Sequence, residues 1–434
     1  MSDIVLPLEA AEAEEYPPIT ARQVTAAVAG NALEFYDFTV YATFASQIAH
    51  TFFPGRTPFL SLILTLATFG VGFLLRPIGA VVIGRWADRR GRRPAMMFSF
   101  ALMGISILGL ALTPSFRAIG VAAPLLVLFW RLCQGFALGG EVGPTTAFLI
   151  EAAPPARRGF YGAWQGGSQN LANLVGGLVG VALAASVGEA ALGLWGWRVA
   201  FLLGTLVLPV GLVLRRSLPE TLHRPEARSH VHPDAATLRA SAPVLLRGLA
   251  LIAASTVSTY VFGYLTTYAL HTLHMRAGIS LAATAVSGTC GLVGGLIGGA
   301  LSDRLGRRPL MIWPRVVFLL ATWPAFFLLV RHPDPVTLLG ATAVITFTSA
   351  LSTAAVFVSI TESLRKEVRV LGMGAVYATA VAVFGGTTQL IVATLVEVMH
   401  DPLAPAWYMM AFTAIGLVAS IMTPESAHRR INPA

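Results

Sequence analysis

The chain has 434 residues, of which 55% are hydrophobic and only 12% charged, with a mean hydropathy of +0.71. That composition excludes a soluble globular protein and describes a polytopic membrane protein. A net charge of +9 would ordinarily point to nucleic acid, but the basic residues are almost all arginine and sit in short intervals between apolar runs, so their role is topological and no nucleic-acid partner is expected. The two cysteines, Cys133 and Cys290, both lie inside apolar segments, and they suggest neither a disulfide framework nor a metal site.

Residues 1–23 carry Asp3, Glu9, Glu12, Glu14 and Glu15 and no apolar core, which reads as a cytoplasmic tail and not as a secretory signal. Six apolar segments follow within 24–216, near 24–50, 57–84, 95–113, 121–149, 160–186 and 198–214. The interval 217–243, rich in Pro, His, Arg and Ser, reads as a cytoplasmic linker. Six more segments fill 244–423, near 244–270, 280–300, 310–330, 336–360, 371–398 and 407–423, and 424–434 is a second tail. Each segment is long enough to cross ~30 Å of hydrocarbon at about 1.5 Å per residue. The expected fold is therefore all-α, with twelve transmembrane helices. Alternate intervals hold 22 and 5 basic residues, so the positive-inside rule puts both termini and the arginine-rich loops in the cytoplasm.

Two of those loops are copies of one another. Gly84-Arg-Trp-Ala-Asp88-Arg89-Arg-Gly91-Arg92-Arg93-Pro94 returns as Gly299-Ala-Leu-Ser-Asp303-Arg304-Leu-Gly306-Arg307-Arg308-Pro309. The glycines suit a turn with positive φ and the prolines the first turn of the next helix. Asp88 and Asp303 are expected to meet an arginine or a helix N-terminus. A second echo joins Glu151 with Arg158 to Glu362 with Arg369, seven residues apart in each copy. Asp88, Arg89, Arg92, Glu151, Arg158, Asp303, Arg304, Arg307, Glu362 and Arg369 together read as a clamp on the cytoplasmic face that breaks when that face opens. The chain is thus two pseudo-symmetric six-helix bundles.

Charges inside the spans have no topological reason to be there and mark an ion or substrate path. Glu34, Asp37 and Tyr41 share one face of the first helix, and Arg131, Gln134 and Glu141 one face of the fourth. Asp37 and Arg131 lie at about the same depth, which pairs them; Arg76 lies nearer Glu34. Asp37 is the expected proton carrier, because a substrate that draws Arg131 away leaves a lone buried anion unless a proton is taken up. Glu34 is the runner-up.

The pattern G-x-x-x-D-R-x-G-R-R and its recurrence resemble the paired loops of major facilitator transporters. Gly30-Asn31-Ala-Leu-Glu34-Phe-Tyr-Asp37-Phe38, Arg131-Leu-Cys-Gln134-Gly135, Arg76-Pro77-Ile-Gly79 and Trp195-Gly-Trp197-Arg198 resemble one branch, the metabolite:proton symporters. Within it, Tyr161-Gly-Ala-Trp164-Gln165-Gly-Gly-Ser168-Gln169 and Ala382-Val383-Phe384-Gly385-Gly386 look most like the citrate and tricarballylate symporters. The resemblance implies import of a citrate-like carboxylate with protons, by alternating access, in a bacterial inner membrane. Within the branch, 2-oxoglutarate, shikimate and proline or betaine are the other cargoes it allows. Ala354-Ala355 departs from the polarity expected in the tenth helix, and Arg315 is expected to snorkel toward the nearby loop.

The remaining polar residues suit an organic anion. Asn31, Gln165, Ser168, Gln169 and Asn173 offer amide and hydroxyl donors beside Arg131 and Gln134. Tyr41, Tyr260, Tyr264, Tyr268 and Tyr377 offer phenols, and the stripe of Tyr260, Tyr264 and Tyr268 also suits a quaternary ammonium. Neither H-E-x-x-H nor G-x-S-x-G occurs, so an enzyme is not indicated. No cofactor or metal is expected, and the chain is taken as a monomer.

Overall fold

The computed structural model describes residues 21–55, 57–90, 92–139, 149, 153–206, 209, 235–364 and 366–427. Among them twelve helical rods run in chain order, and no strand is present. In the first half these are α1 (Ala21–Thr43 continued by Ala45–Phe52), α2 (Pro58–Leu74 continued by Arg76–Arg90), α3 (Arg92–Leu112), α4 (Ala122–Leu138), α5 (158–187) and α6 (189–204). In the second half they are α7 (Ala235–His271), α8 (Ala277–Leu305), α9 (Arg307–Arg331), α10 (Pro335–Ser363), α11 (Lys366–Ala380, then Val381–Gly385 as a π turn, then Gly386–Met399) and α12 (Ala404–Met422). Eight of the described helices are long and apolar enough to cross a membrane. Large apolar side chains face outward along them, with Trp313 and Leu320 each 69% exposed, which is the surface a bilayer would cover.

Local chemistry sets the helix ends. Thr57 accepts a bond from the Leu60 amide with Pro58 in the first turn of α2, and Asp334 does the same for Thr337 with Pro335 opening α10. Gly188 (φ 77°) breaks what would otherwise be one continuous rod into α5 and α6. Gly306 (φ 102°) turns the chain between α8 and α9, as the repeated loop pattern requires. The helix carrying 244–270 begins earlier than its apolar run, at Ala235, with Pro243 inside it. Part of the interval read as linker is therefore helical.

The two halves meet along small residues. Among the described residues the most extensive contact runs between α5 and α8, where Gly177 faces Ala285, Gly288 faces Leu174, and Gly159 faces Gly299. A Cβ added at Gly288 would collide with the Leu174 backbone, so only glycine lets these rods approach so closely. A second contact pairs Gly70 of α2 with Gly386 of α11, just past the π turn. Overpacking a seam of this kind costs about 1–3 kcal/mol. Gly288→Val is therefore expected to lower the melting temperature of the detergent-purified protein by several degrees. A melting curve superimposable on the parent's would contradict the close approach.

Candidate functional site

The buried face of α1 meets α4 at an ion pair. Asp37 Oδ2 lies 3.1 Å from Arg131 Nη1, and both side chains are fully inaccessible to solvent. The same Arg131 nitrogen donates to Gln134 Oε1 at 2.7 Å, an i, i+3 contact along α4. Aromatic rings enclose the guanidinium: its Cζ lies 4.3 Å from the Tyr41 centroid, 4.6 Å from Phe38 and 5.1 Å from Phe69. Tyr41 is held by a bond from its hydroxyl to the Thr65 carbonyl. Arg76 of α2 packs in the same wall, over Phe73 at 4.2 Å and Phe38 at 4.7 Å, within electrostatic range of Glu34, Tyr260 and Tyr377.

Several polar atoms in this wall have no hydrogen-bond partner in the protein. They are Nε and Nη2 of both Arg76 and Arg131, Asp37 Oδ1, Gln134 Nε2 and both amide atoms of Gln165. Buried donors left unpaired are costly and concentrate where a ligand or water is to be engaged. Beside them, Asn31 donates to Ser168 Oγ at 2.6 Å, and Ser168 in turn donates to the Gln165 carbonyl.

Two neighbouring chambers lie between the halves, of about 100 and 50 Å³. Gln169, Asn173, Thr259 and Tyr260 border both. The larger chamber adds Tyr377 and a bank of hydroxyls: Ser255 and Thr256 from α7, Ser287 from α8, and Thr346, Ser349 and Thr353 from α10. The smaller adds Phe38, Phe69 and Gln389. Among the described residues no charged side chain lines either chamber; both arginines stand behind the aromatic wall. Gln169 Nε2 donates to the Tyr377 hydroxyl at 3.4 Å, and Asn173 accepts from Thr39 at 2.7 Å.

The expected binding residues therefore divide into three groups. Gln169, Asn173, Tyr260 and Tyr377 face the chambers. Asn31, Tyr41, Arg131, Gln134, Gln165 and Ser168 lie behind their walls. Tyr264 and Tyr268 do neither: they pack in the second-half core, where Tyr268 donates to the Pro402 carbonyl at 2.6 Å. A period of four puts the three tyrosines on one helix face, but that face runs out of the cavity and into the packing around α9 and α12.

On the arginine-rich face, Asp303 meets both of its expected kinds of partner. It accepts from the Gly159 and Phe160 amides at the start of α5, at 2.7 and 2.9 Å, and from Arg307 Nη1 at 2.7 Å. Arg307 also reaches Glu362 of α10 at 3.2 Å. Arg304 is exposed and Arg158 half-buried. The expectations for the Asp88, Arg89, Arg92 and Arg369 side chains, and for Glu141 and Glu151, lie outside the described residues. On the opposite face Ser46 of α1 and His271 of α7 bond at 2.9 Å across the two halves. Cysteines at these two positions, in a chain lacking Cys133 and Cys290, are expected to stop transport when bridged by a short bifunctional thiol reagent and to restore it on release; uninterrupted uptake by the bridged protein would contradict a moving contact here.

Other residues escaped sequence reasoning. Glu425 Oε1 and Oε2 accept the Arg307 and Arg308 amides that open α9, and Ser426 donates to Glu362 at 2.7 Å, so the segment after α12 joins the charged cluster. Arg315 does not snorkel: it is 2% exposed and donates to the Gly416 carbonyl and Ser420 Oγ of α12, at 2.8 and 2.6 Å. It shares the buried face of α9 with Met311 and Phe318, which turns it to a neighbouring helix instead of the surface. The polarity missing at Ala354-Ala355 is supplied by Thr346, Ser349 and Thr353, a spacing of three and four that marks one helix face.

Comparison with known proteins agrees with this architecture. The chain is 37% identical to a citrate-proton symporter of Salmonella typhi over 420 residues, covering 94% of this chain and 96% of the relative. It is 40% identical to a citrate-proton symporter of Klebsiella pneumoniae over 395 residues, covering 90% and 89%. An alpha-ketoglutarate permease of Escherichia coli is 32% identical, with 92% of each chain covered. Among solved structures, the xylose transporter XylE from E. coli, in a partially occluded inward open conformation, superimposes with a TM-score of 0.72 at 17% identity over 93% of this chain and 98% of that one. The family model described as Major Facilitator Superfamily matches residues 27–388. With its paired loops, the twelve helical rods among its described residues and its glycine-lined seam between two halves, the chain belongs to the major facilitator superfamily.

Proposed function

We propose that the protein is a proton-coupled symporter that imports citrate or a close di- or tricarboxylate by alternating access, working as a monomer in a bacterial inner membrane with its arginine-rich face and both termini in the cytoplasm. The observation that carries this reading is the sealed Asp37–Arg131 pair, whose guanidinium keeps two unpaired donors a ring's thickness from a chamber lined by amides and hydroxyls. A planar guanidinium matches a carboxylate in charge and in fork geometry. When a substrate carboxylate takes over Arg131, Asp37 loses its counter-ion, and a proton lets the neutral acid remain buried. Coupling then follows from competition for one cation. Glu34 beside Arg76 is the second candidate carrier.

The halves would rock about this site. Asp303, Arg307, Glu362 and the α5 N-terminus form the cytoplasmic latch, and Ser46 with His271 the outer one. The names of the relatives at 37–40% identity support citrate as cargo. The uncharged chamber lining is the observation that favours a zwitterion such as betaine as a second reading.

A melting-temperature panel on the purified protein separates the two. A ligand at about 100 times its Kd stabilises by about 2.7 kcal/mol. Citrate and tricarballylate are expected to raise the midpoint most, 2-oxoglutarate less, and betaine and xylose not at all. A shift with betaine or xylose and none with citrate would overturn the assignment.

A further inference from the structure

Phe38 stands where the two arginines and the chamber meet. Its ring centroid lies 4.7 Å from Arg76 Cζ and 4.6 Å from Arg131 Cζ, so one ring covers both cations. Its other contacts are edge-on to Phe69 and Phe73, at 6.1 and 5.3 Å. The residue is 4% exposed and lines the smaller chamber. Behind it, four guanidinium N–H-bearing nitrogens of two buried arginines have no partner in the protein. An apolar ring thus separates unpaired guanidinium donors from the space in which an anion would arrive.

We propose that Phe38 is a shutter between the substrate chamber and a two-arginine carboxylate site. The inference rests on the reading of Asp37–Arg131 as the coupling pair and of a polycarboxylate as cargo. With the ring in place, it lies against both cations and keeps chamber water from Asp37. An entering carboxylate displaces the ring, takes the free Nε and Nη2 donors of Arg76 and Arg131, and in the same movement exposes Asp37 to the proton that replaces its lost counter-ion. Proton uptake is thereby conditional on substrate. Neither a zwitterion with one carboxylate nor a sugar matches two forks at once, so the same device selects cargo with two or more carboxylates.

The test uses the full-length protein in proteoliposomes, comparing Phe38→Leu and Phe38→Tyr with the parent. Phe38→Leu removes the ring. It is expected to lose pH-driven citrate accumulation by tenfold or more, a larger factor than its loss of citrate counterflow, and to admit protons in the absence of citrate. Phe38→Tyr keeps the ring and should restore coupling, which a purely structural role would not distinguish from Leu. Coupled accumulation by Phe38→Leu with no citrate-independent proton entry overturns the shutter. Asp37→Asn is assayed alongside: if it still accumulates citrate, the coupling pair itself is wrong, whereas its loss together with a fully coupled Phe38→Leu sinks the shutter alone. Should Phe38→Leu fail to fold, Phe38→Trp reports the movement directly. Citrate is expected to shift its emission and its quenching by iodide relative to the parent, and an unchanged spectrum would count against displacement of the ring.

Discussion

Asp37→Asn is expected to abolish uphill accumulation of citrate under an imposed pH gradient while leaving exchange of labelled for unlabelled citrate measurable. Asn resembles the protonated acid in shape and neutrality, so the empty-to-loaded transition remains available. What disappears is the group that releases a proton on one side and takes it up on the other. The expected drop in accumulation ratio is to about one, which is equilibration without driving force. The structure makes this a sharp test, because Asp37 contacts one cation and its burial leaves no bulk water to take the cation's place. If Asp37→Asn still concentrates citrate, Glu34 becomes the first carrier to examine, through Glu34→Gln on the same two assays.

Arg131→Lys is expected to cost most of the citrate affinity although the charge is kept. Lysine brings one compact ammonium in place of a planar fork. It cannot hold Asp37, Gln134 and a carboxylate together, nor lie flat against Phe38 and Tyr41. Each hydrogen bond to a charged group that is lost costs about 1.5–3 kcal/mol, equivalent to about ten- to a hundredfold in affinity if it falls on the bound state. Citrate titration followed by tryptophan fluorescence or calorimetry measures it. Affinity within threefold of the parent would place the carboxylate elsewhere, with Arg76 the next residue to change.

Much of the fold was legible in the sequence because a bilayer restricts a chain so severely. Twelve apolar runs, an arginine bias and an internal repeat leave few arrangements open, and the helices follow them closely. The Asp37–Arg131 pair was legible for the same reason: rise per residue gives depth, and two opposite charges at one depth have few other partners. Position around a helix was harder to read. Phe38, one residue after Asp37, carries no charge to single it out, and only the packing of α1 against α2 and α4 puts its ring on both guanidiniums. Tyr264 and Tyr268 share a face with Tyr260, yet further along α7 that face packs in the core around α9, where Tyr268 meets Phe326. Glu425 and Ser426 follow the last helix, and only its docking beside α9 brings them to Arg307 and Glu362. The hydroxyls of α10 form a periodic stripe, Thr346, Ser349 and Thr353, beside two alanines that carry no polarity of their own.

The measurement that bears most directly on the whole account is citrate uptake by the purified protein in proteoliposomes with the membrane potential clamped. Each proton carried down one unit of pH supplies about 1.4 kcal/mol, enough for about tenfold accumulation per proton. An acidic exterior is expected to drive labelled citrate inward past its external concentration, a protonophore to collapse the gradient, and betaine to leave the rate unchanged. Citrate that merely equilibrates whatever the pH gradient, or that does not enter while betaine does, would contradict proton-coupled import of a polycarboxylate.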